Sequence, residues 1–356
     1  MERHARSIPR AEFLARLANE AYEMHKPTEA ATSVKRRAGL GARLLRSRET
    51  GIIGALLIMV LALSVFAPNF ASIDNFLNDM RNLAFVGIVV LGQAAVMITG
   101  GIDLSVGSVW GLAAVASAAM MHAGMGVMPA CLLTLLIAAA VGLFNGLCVT
   151  RLRMLPFVPT LATMSIARAL ALIITRGKAI DGFRPDGDAF FELGGGDILG
   201  LPIPFLIFVV LSIIAAVVLK RSVYGRQLYA VGGNERAAML TGLDVDRLKI
   251  SVYVMSSVLA GLAGIIEVSY LSSAISNQGM GKELSVIAAA VIGGTALSGG
   301  EGTVIGVFVG TVILEVLRNG LILLGTDAYW QGVFVGSVIV FAVFIDQLRK
   351  GVWRRR

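Results

Sequence analysis

Apolar residues run through this chain in long blocks separated by short polar stretches. A helix that crosses a bilayer needs about 20 mostly apolar residues. Runs of that kind cover 51–67, 82–98, 104–121, 127–149 and 157–175, then 201–219, 250–268, 284–297, 303–324 and 329–345. The pattern predicts an all-α fold, a polytopic transmembrane bundle of about ten spans. The eighth run is short and the second and third nearly touch, so broken or re-entrant helices are expected near 100–103 and 284–302.

Composition supports the bilayer as solvent. Hydrophobic residues make up 56% of the chain and charged residues only 15%, against roughly 25% charged in soluble domains. Mean hydropathy is +0.79. With so few charges the chain cannot coat a soluble core. The net charge of +8 therefore bears on topology, and no nucleic-acid partner is expected. With the N-terminus cytoplasmic, 24 Lys and Arg fall on inner segments and 5 on outer ones. That split places both termini in the cytoplasm. The first apolar run begins only at Gly51, a layout that fits no cleavable signal peptide.

Three regions follow. Residues 1–50 form a basic cytoplasmic extension in which 11–24 can make an amphipathic helix, with Phe13, Leu14 and Leu17 on one side and Pro27 beyond its end. Arg36, Arg37, Arg43, Arg46 and Arg48 lead to the membrane and suit anionic lipid. Residues 51–348 are the transmembrane domain, and 349–356 a basic tail. Cys131 and Cys148 share one apolar run, seventeen residues apart. On a helix they would be about 25 Å apart, beyond disulfide reach.

Glycines recur at spacings of four, at 107/111, 142/146, 302/306/310 and 332/336. Small residues at that spacing let helix backbones approach closely in lipid. A weak internal echo links 100–107 with 293–300, and Gly100, Gly101, Asp103, Ser105, Gly293 and Gly294 are candidates for the translocation path or its gate. An acidic residue between apolar helices is costly. Asp103 is placed to cap a helix starting at Leu104, accepting from the amide of Ser105 or Val106. Residues 220–249 form a charged cytoplasmic loop. Within it Asn234 can cap a short helix, Glu235 to Leu240, that Gly242 ends. With Ala237 and Ala238 on one side, that helix suits a groove on a partner.

The stretch Thr99-Gly100-Gly101-Ile102-Asp103-Leu104-Ser105-Val106-Gly107-Ser108 resembles the hallmark of permease subunits of ribose-type sugar ABC importers, a family related to branched-chain amino acid permeases. Residues 158–164, 231–242, 291–295 and 297–300 agree with it in order and spacing, so the resemblance covers about 50–348. It implies a permease working as a pair, a copy or a relative, in the bacterial inner membrane. ABC ATPase subunits would lie below it and a periplasmic sugar-binding protein above. By the same resemblance Gly232, Gly233, Asn234, Glu235, Ala238 and Gly242 match the motif that touches the ATPase.

Other features agree. The fragment Gly281-Lys282-Glu283 lacks the upstream glycine and the Ser or Thr of a nucleotide-binding loop, so ATP hydrolysis is expected on another chain. His4, His25 and His122 are scattered, and neither a metal, a cofactor nor a catalytic residue is expected. Glu315 and Arg318 can pair on one helix face, Arg168 has no sequence-local partner, and Glu267 sits near an outer helix end. The competing reading is an ion-coupled secondary transporter of a small polar solute, for which Asp103, Glu267 and Glu315 are the only intramembrane acids.

Overall fold

The computed structural model describes residues 48–183 and 187–327, with isolated positions from 330 to 344. The expected amphipathic segment 11–24, most of the tenth predicted span and the basic tail lie outside the described residues. Helices dominate. In chain order they are α1 (Arg48–Phe66), α2 (Ile73–Ile98), α3 (Val106–His122), α4 (Val127–Thr150), α5 (Phe157–Thr175), α6 (Gly187–Gly195) and α7 (Ile203–Arg221). There follow α8 (Val223–Gly233), α9 (Glu235–Leu240), α10 (Val245–Leu271), α11 (Lys282–Ile292) and α12 (Val304–Leu323). Among the described residues six helices (α2, α4, α5, α7, α10 and α12) are long and apolar enough to cross a membrane, while α1 and α3 offer shorter apolar stretches.

Helix α10 is the central post, packed against α2, α3 and α4. Small residues make this close packing possible. Gly142 and Gly146 of α4 bring its backbone onto Tyr253, Val254 and Ile250, and Gly264 seats the Trp110 carbonyl of α3. Gly92 of α2 lies against Ser256. The glycine spacing of 142/146 thus reports a helix interface, as van der Waals packing in lipid requires. Gly306 and Gly310 of α12 do the same against Gly293 and Ala289 at the end of α11. Cys131 and Cys148 are both free thiols.

Two boundaries differ from the apolar pattern. Helix α2 starts at Ile73, not near residue 82, because Ser72 caps it by accepting from the Asn75 amide at 3.2 Å. Its first turns are polar, so counting apolar residues hides them. Helix α11 is only 11 residues long, about 16 Å, and the chain from Gly293 to Thr303 is irregular, where one run over 284–297 is expected. Two short antiparallel pairings also lie outside an all-helical expectation, Ile180–Asp181 with Ser273–Ala274 and Asp197–Ile198 with Leu201–Pro202. Below, the end of the bundle carrying α8 and α9 is called basal and the opposite end distal.

Candidate functional site

The basal segment is built from three polar caps in succession. The Ser222 hydroxyl accepts from Gly225 N at 2.9 Å and starts α8. Asn234 Oδ1 accepts from Ala237 N at 3.0 Å and starts α9. Asp244 Oδ1 accepts from Arg247 N at 3.1 Å and starts α10. Each satisfies an orphan amide at a helix start. Helix α9 ends as the sequence suggests, with Gly242 at φ +84° and Leu243 N donating to Ala238 O at 3.2 Å. A residue with a Cβ is strained in that left-handed position.

Ala238 and Ala237 lie on different faces of α9. Ala238 is buried in a cluster with Leu228, Val231, Val245, Leu248 and Val252, so its side chain anchors the helix. Glu235 is tied back by Lys249 at 2.7 Å. What the helix presents outward is Arg236, Ala237, Met239 and Leu240, with Leu240 89% exposed and Met239 50%. Sequence reasoning missed these two; the signal was their place beside Ala238 in a six-residue helix, where one face must turn outward.

Above α9 the two echoing glycine loops meet each other and the end of α8. Gly300 N donates to Ile98 O at 2.9 Å. A Cβ on Gly232 would run into that same Ile98 carbonyl and into Gly300 N. A Cβ on Gly299 would lie 2.9 Å from both Gly100 N and Gly232 O. Gly100 (φ +80°) and Gly299 (φ +85°) turn left-handed here. Tyr229 of α8 donates its hydroxyl to Gly302 O at 2.7 Å, a strut that no local pattern announced. Three segments far apart in sequence thus touch backbone to backbone. Gly293 is buried against Gly306 and Val307 of α12, and Gly294 turns the chain at φ +90°. Gly233 has open space at its Cβ position.

Asp103 lies deeper. It is fully buried, and its carboxylate accepts from Ser105 N at 2.9 Å and Ser105 Oγ at 2.6 Å. Ser256 of α10 donates to its other oxygen at 3.3 Å. Asn145 of α4 donates to Ser105 Oγ at 3.0 Å, and Thr163 of α5 donates to Asn145 Oδ1 at 2.6 Å. All these donors point toward one carboxylate, the arrangement in which hydrogen bonds reinforce one another in a low-dielectric interior. The expected bond from Ser105 N is present, but it closes a turn ahead of the helix and does not cap it: α3 begins at Val106 and not at Leu104, Ser105 is its N-cap residue, and no side chain caps it. Ser256, Asn145 and Thr163 were invisible to sequence reasoning, since each is an isolated polar residue in an apolar helix.

The intramembrane charges are also partnered. Glu315 and Arg318 approach to 3.6 Å. Glu267 accepts from Trp110 Nε1 and Gln278 Nε2, each at 2.7 Å. Arg168 donates to the Gln278 carbonyl at 3.4 Å. Among the described residues there is no group of His, Cys, Asp and Glu able to hold a metal ion.

Residues 75–343 match the family model described as branched-chain amino acid transport system, permease component. The chain is 41% identical over 296 residues to the ribose import permease protein of Bacillus subtilis, covering 83% of this chain and 92% of that one. It is 38% identical over 297 residues to the ribose import permease protein of Escherichia coli K12, with the same coverage. It is 32% identical over 325 residues to an L-arabinose ABC transporter permease of Azospirillum brasilense, covering 91% of this chain and 94% of that one.

Proposed function

The chain belongs to the family of branched-chain amino acid transport system permease components, and from that premise we propose how it works. It is the permease subunit of an ABC importer, a multi-pass protein of the bacterial inner membrane, and its solute is a monosaccharide. It is not itself an enzyme; a separate ATPase supplies the energy, and a periplasmic binding protein delivers the sugar. Two permease subunits, identical or related, form the path, and anionic lipid contacts the basic N-terminal extension. The basal end is cytoplasmic, a reading the 24-to-5 split of Lys and Arg supports. On this reading the chain makes about ten spans with both termini inside, α11 being a half-length one.

The observation that carries the mechanism is the basal junction. Helix α9 is the seat for the ATPase, with Leu240 and Met239 entering its groove. Gly232 and Gly233 end α8, Asn234 joins it to α9, and Gly232 sits directly on the Ile98 carbonyl and Gly300. A displacement of α9 by the closing ATPase is therefore passed to the Gly100–Ser105 and Gly293–Gly302 loops without flexible side chains between. Asp103, held by Ser105 and by Ser256 of α10, fixes the first loop to the bundle so that it moves as a unit.

The test is co-purification. Leu240→Glu puts a charge on the most exposed apolar side chain of α9 without touching the Ala238 anchor. The ATPase is expected to be lost from the purified complex while the permease inserts normally, since losing a central apolar anchor costs about 2 kcal/mol or more. Retention of a full complement of ATPase with unchanged ATP-dependent uptake would overturn the assignment of α9.

A further inference from the structure

The distal halves of α2 and α12 carry matching polar stripes. On α2 these are Asn75, Asn78, Asp79 and Asn82; on α12 they are Glu315, Arg318 and Asn319. Both follow the three-and-four spacing of a single helix face, and the two stripes line one cleft of about 130 Å³. Asn319 Nδ2 donates to Asn75 Oδ1 at 3.1 Å across it. Arg318 lies 3.6 Å from Glu315, which is itself buried. A second cavity of about 290 Å³ shares Glu315 and Arg318 and reaches Lys282 at the start of α11.

Two of these residues, Asn78 and Asn82, are exposed, although α2 is long and apolar enough to cross a membrane. Asn82 lies nine residues into it, about 13 Å from the distal end. Amide side chains there would be costly against lipid tails, so this face meets water or protein. The chemistry selects what it handles. Each amide supplies a donor and an acceptor, the carboxylates accept and the guanidinium donates through a fork. Vicinal hydroxyls, each both donor and acceptor, use all of these. A bare cation would leave the amide donors idle, and Arg318 already opposes the carboxylates.

We infer that the α2–α12 cleft is a polyol-contact site on the permease itself, where a sugar released at the distal side is held by Asn78, Asn82 and Arg318 on its way inward. The inference rests on the import function proposed above and extends it. The permease would then share in recognising the sugar.

The experiment uses the complete complex of permease, ATPase and binding protein in proteoliposomes, with D-ribose and L-arabinose as probes. The double variant Asn78→Leu, Asn82→Leu is expected to lower sugar transported per ATP hydrolysed at least tenfold, with binding-protein-stimulated hydrolysis within twofold of wild type. Asn82→Gln, which keeps polarity but lengthens the side chain, serves if the double variant fails to assemble, and a threefold fall in the same ratio is expected. An unchanged ratio in the assembled variant overturns the site. So does a parallel fall of hydrolysis and uptake, which marks a polar contact between permease subunits. A wild-type complex that imports neither sugar with ATP overturns the import reading, and the inference with it.

Discussion

The two ends of this bundle solve different problems with different materials. The basal junction is made of backbone: Ile98, Gly100, Gly232, Gly299 and Gly300 meet with almost no side chains between them. The distal cleft is made of side chains, amides and charges on a common face with room beside them. A contact between backbones cannot yield by changing rotamer, which suits it to the proposed passing-on of displacement. Side chains that can rearrange suit a solute whose hydroxyls must be bound and let go. The difference teaches where substitution is tolerated, and that can be measured.

The junction should fail most sharply. Gly232→Val drives a Cβ into the Ile98 carbonyl, and overpacking of that kind costs about 1–3 kcal/mol. ATP-driven uptake is expected to fall by at least about tenfold, because the strain falls on the part proposed to move. Its neighbour gives the contrast. Gly233→Ala, at the last residue of α8, meets open space and should leave uptake within about twofold, since Ala replaces Gly without cost where the backbone conformation permits it. Equal loss in both variants would show that close packing at 232 is not what matters.

Asp103→Asn sharpens the comparison one layer up. It keeps the shape but puts an amide where the carboxyl group meets Ser105 and Ser256. The expected loss is about 1–3 kcal/mol of stability, read as a lower thermal midpoint of the purified complex. Ser256→Ala should cost about 1 kcal/mol, near the mean for one hydrogen bond. If Asp103→Asn transports normally with an unchanged midpoint, the loop is not held through this carboxylate.

The smallest effect is expected at the surface of the basal segment. Lys249→Ala removes the 2.7 Å pair with Glu235, whose carboxylate is 45% exposed. Such pairs are worth about 1 kcal/mol or less and are screened by salt. ATPase binding should weaken by no more than about fivefold, as read by titration of the ATPase onto the permease. A larger loss would place Lys249 or Glu235 at the interface itself.

Much of this architecture was legible in the sequence, for physical reasons. Long apolar runs mark spans because lipid demands them, so α4 and α5 fall where the pattern puts them, to within a residue or so. Local chemistry was also readable. Asn234 and Gly242 bound α9 by capping rules that need no tertiary context, and Asp103 accepts from Ser105 N as expected. What was hidden depends on partners distant in sequence. The polar turns of α2 look like a loop until α12 is seen to match them. Ala238 turns inward because Leu228 and Val252 make a pocket for it, and nothing within a six-residue helix fixes that phase. Tyr229 reaches Gly302 across 73 positions, and the Asn145–Thr163 bond joins two helices that each read as plain apolar spans.

In the proposed mechanism an external ATPase, acting through α9, opens this path to a sugar. That mechanism is tested most directly by uptake into proteoliposomes holding the permease, with ATPase, binding protein and ion gradients supplied or withheld in turn. The account predicts D-ribose or L-arabinose uptake that requires ATP, ATPase and binding protein together and persists when ionophores collapse every gradient. Uptake driven by a proton or sodium gradient with no ATPase present would contradict it.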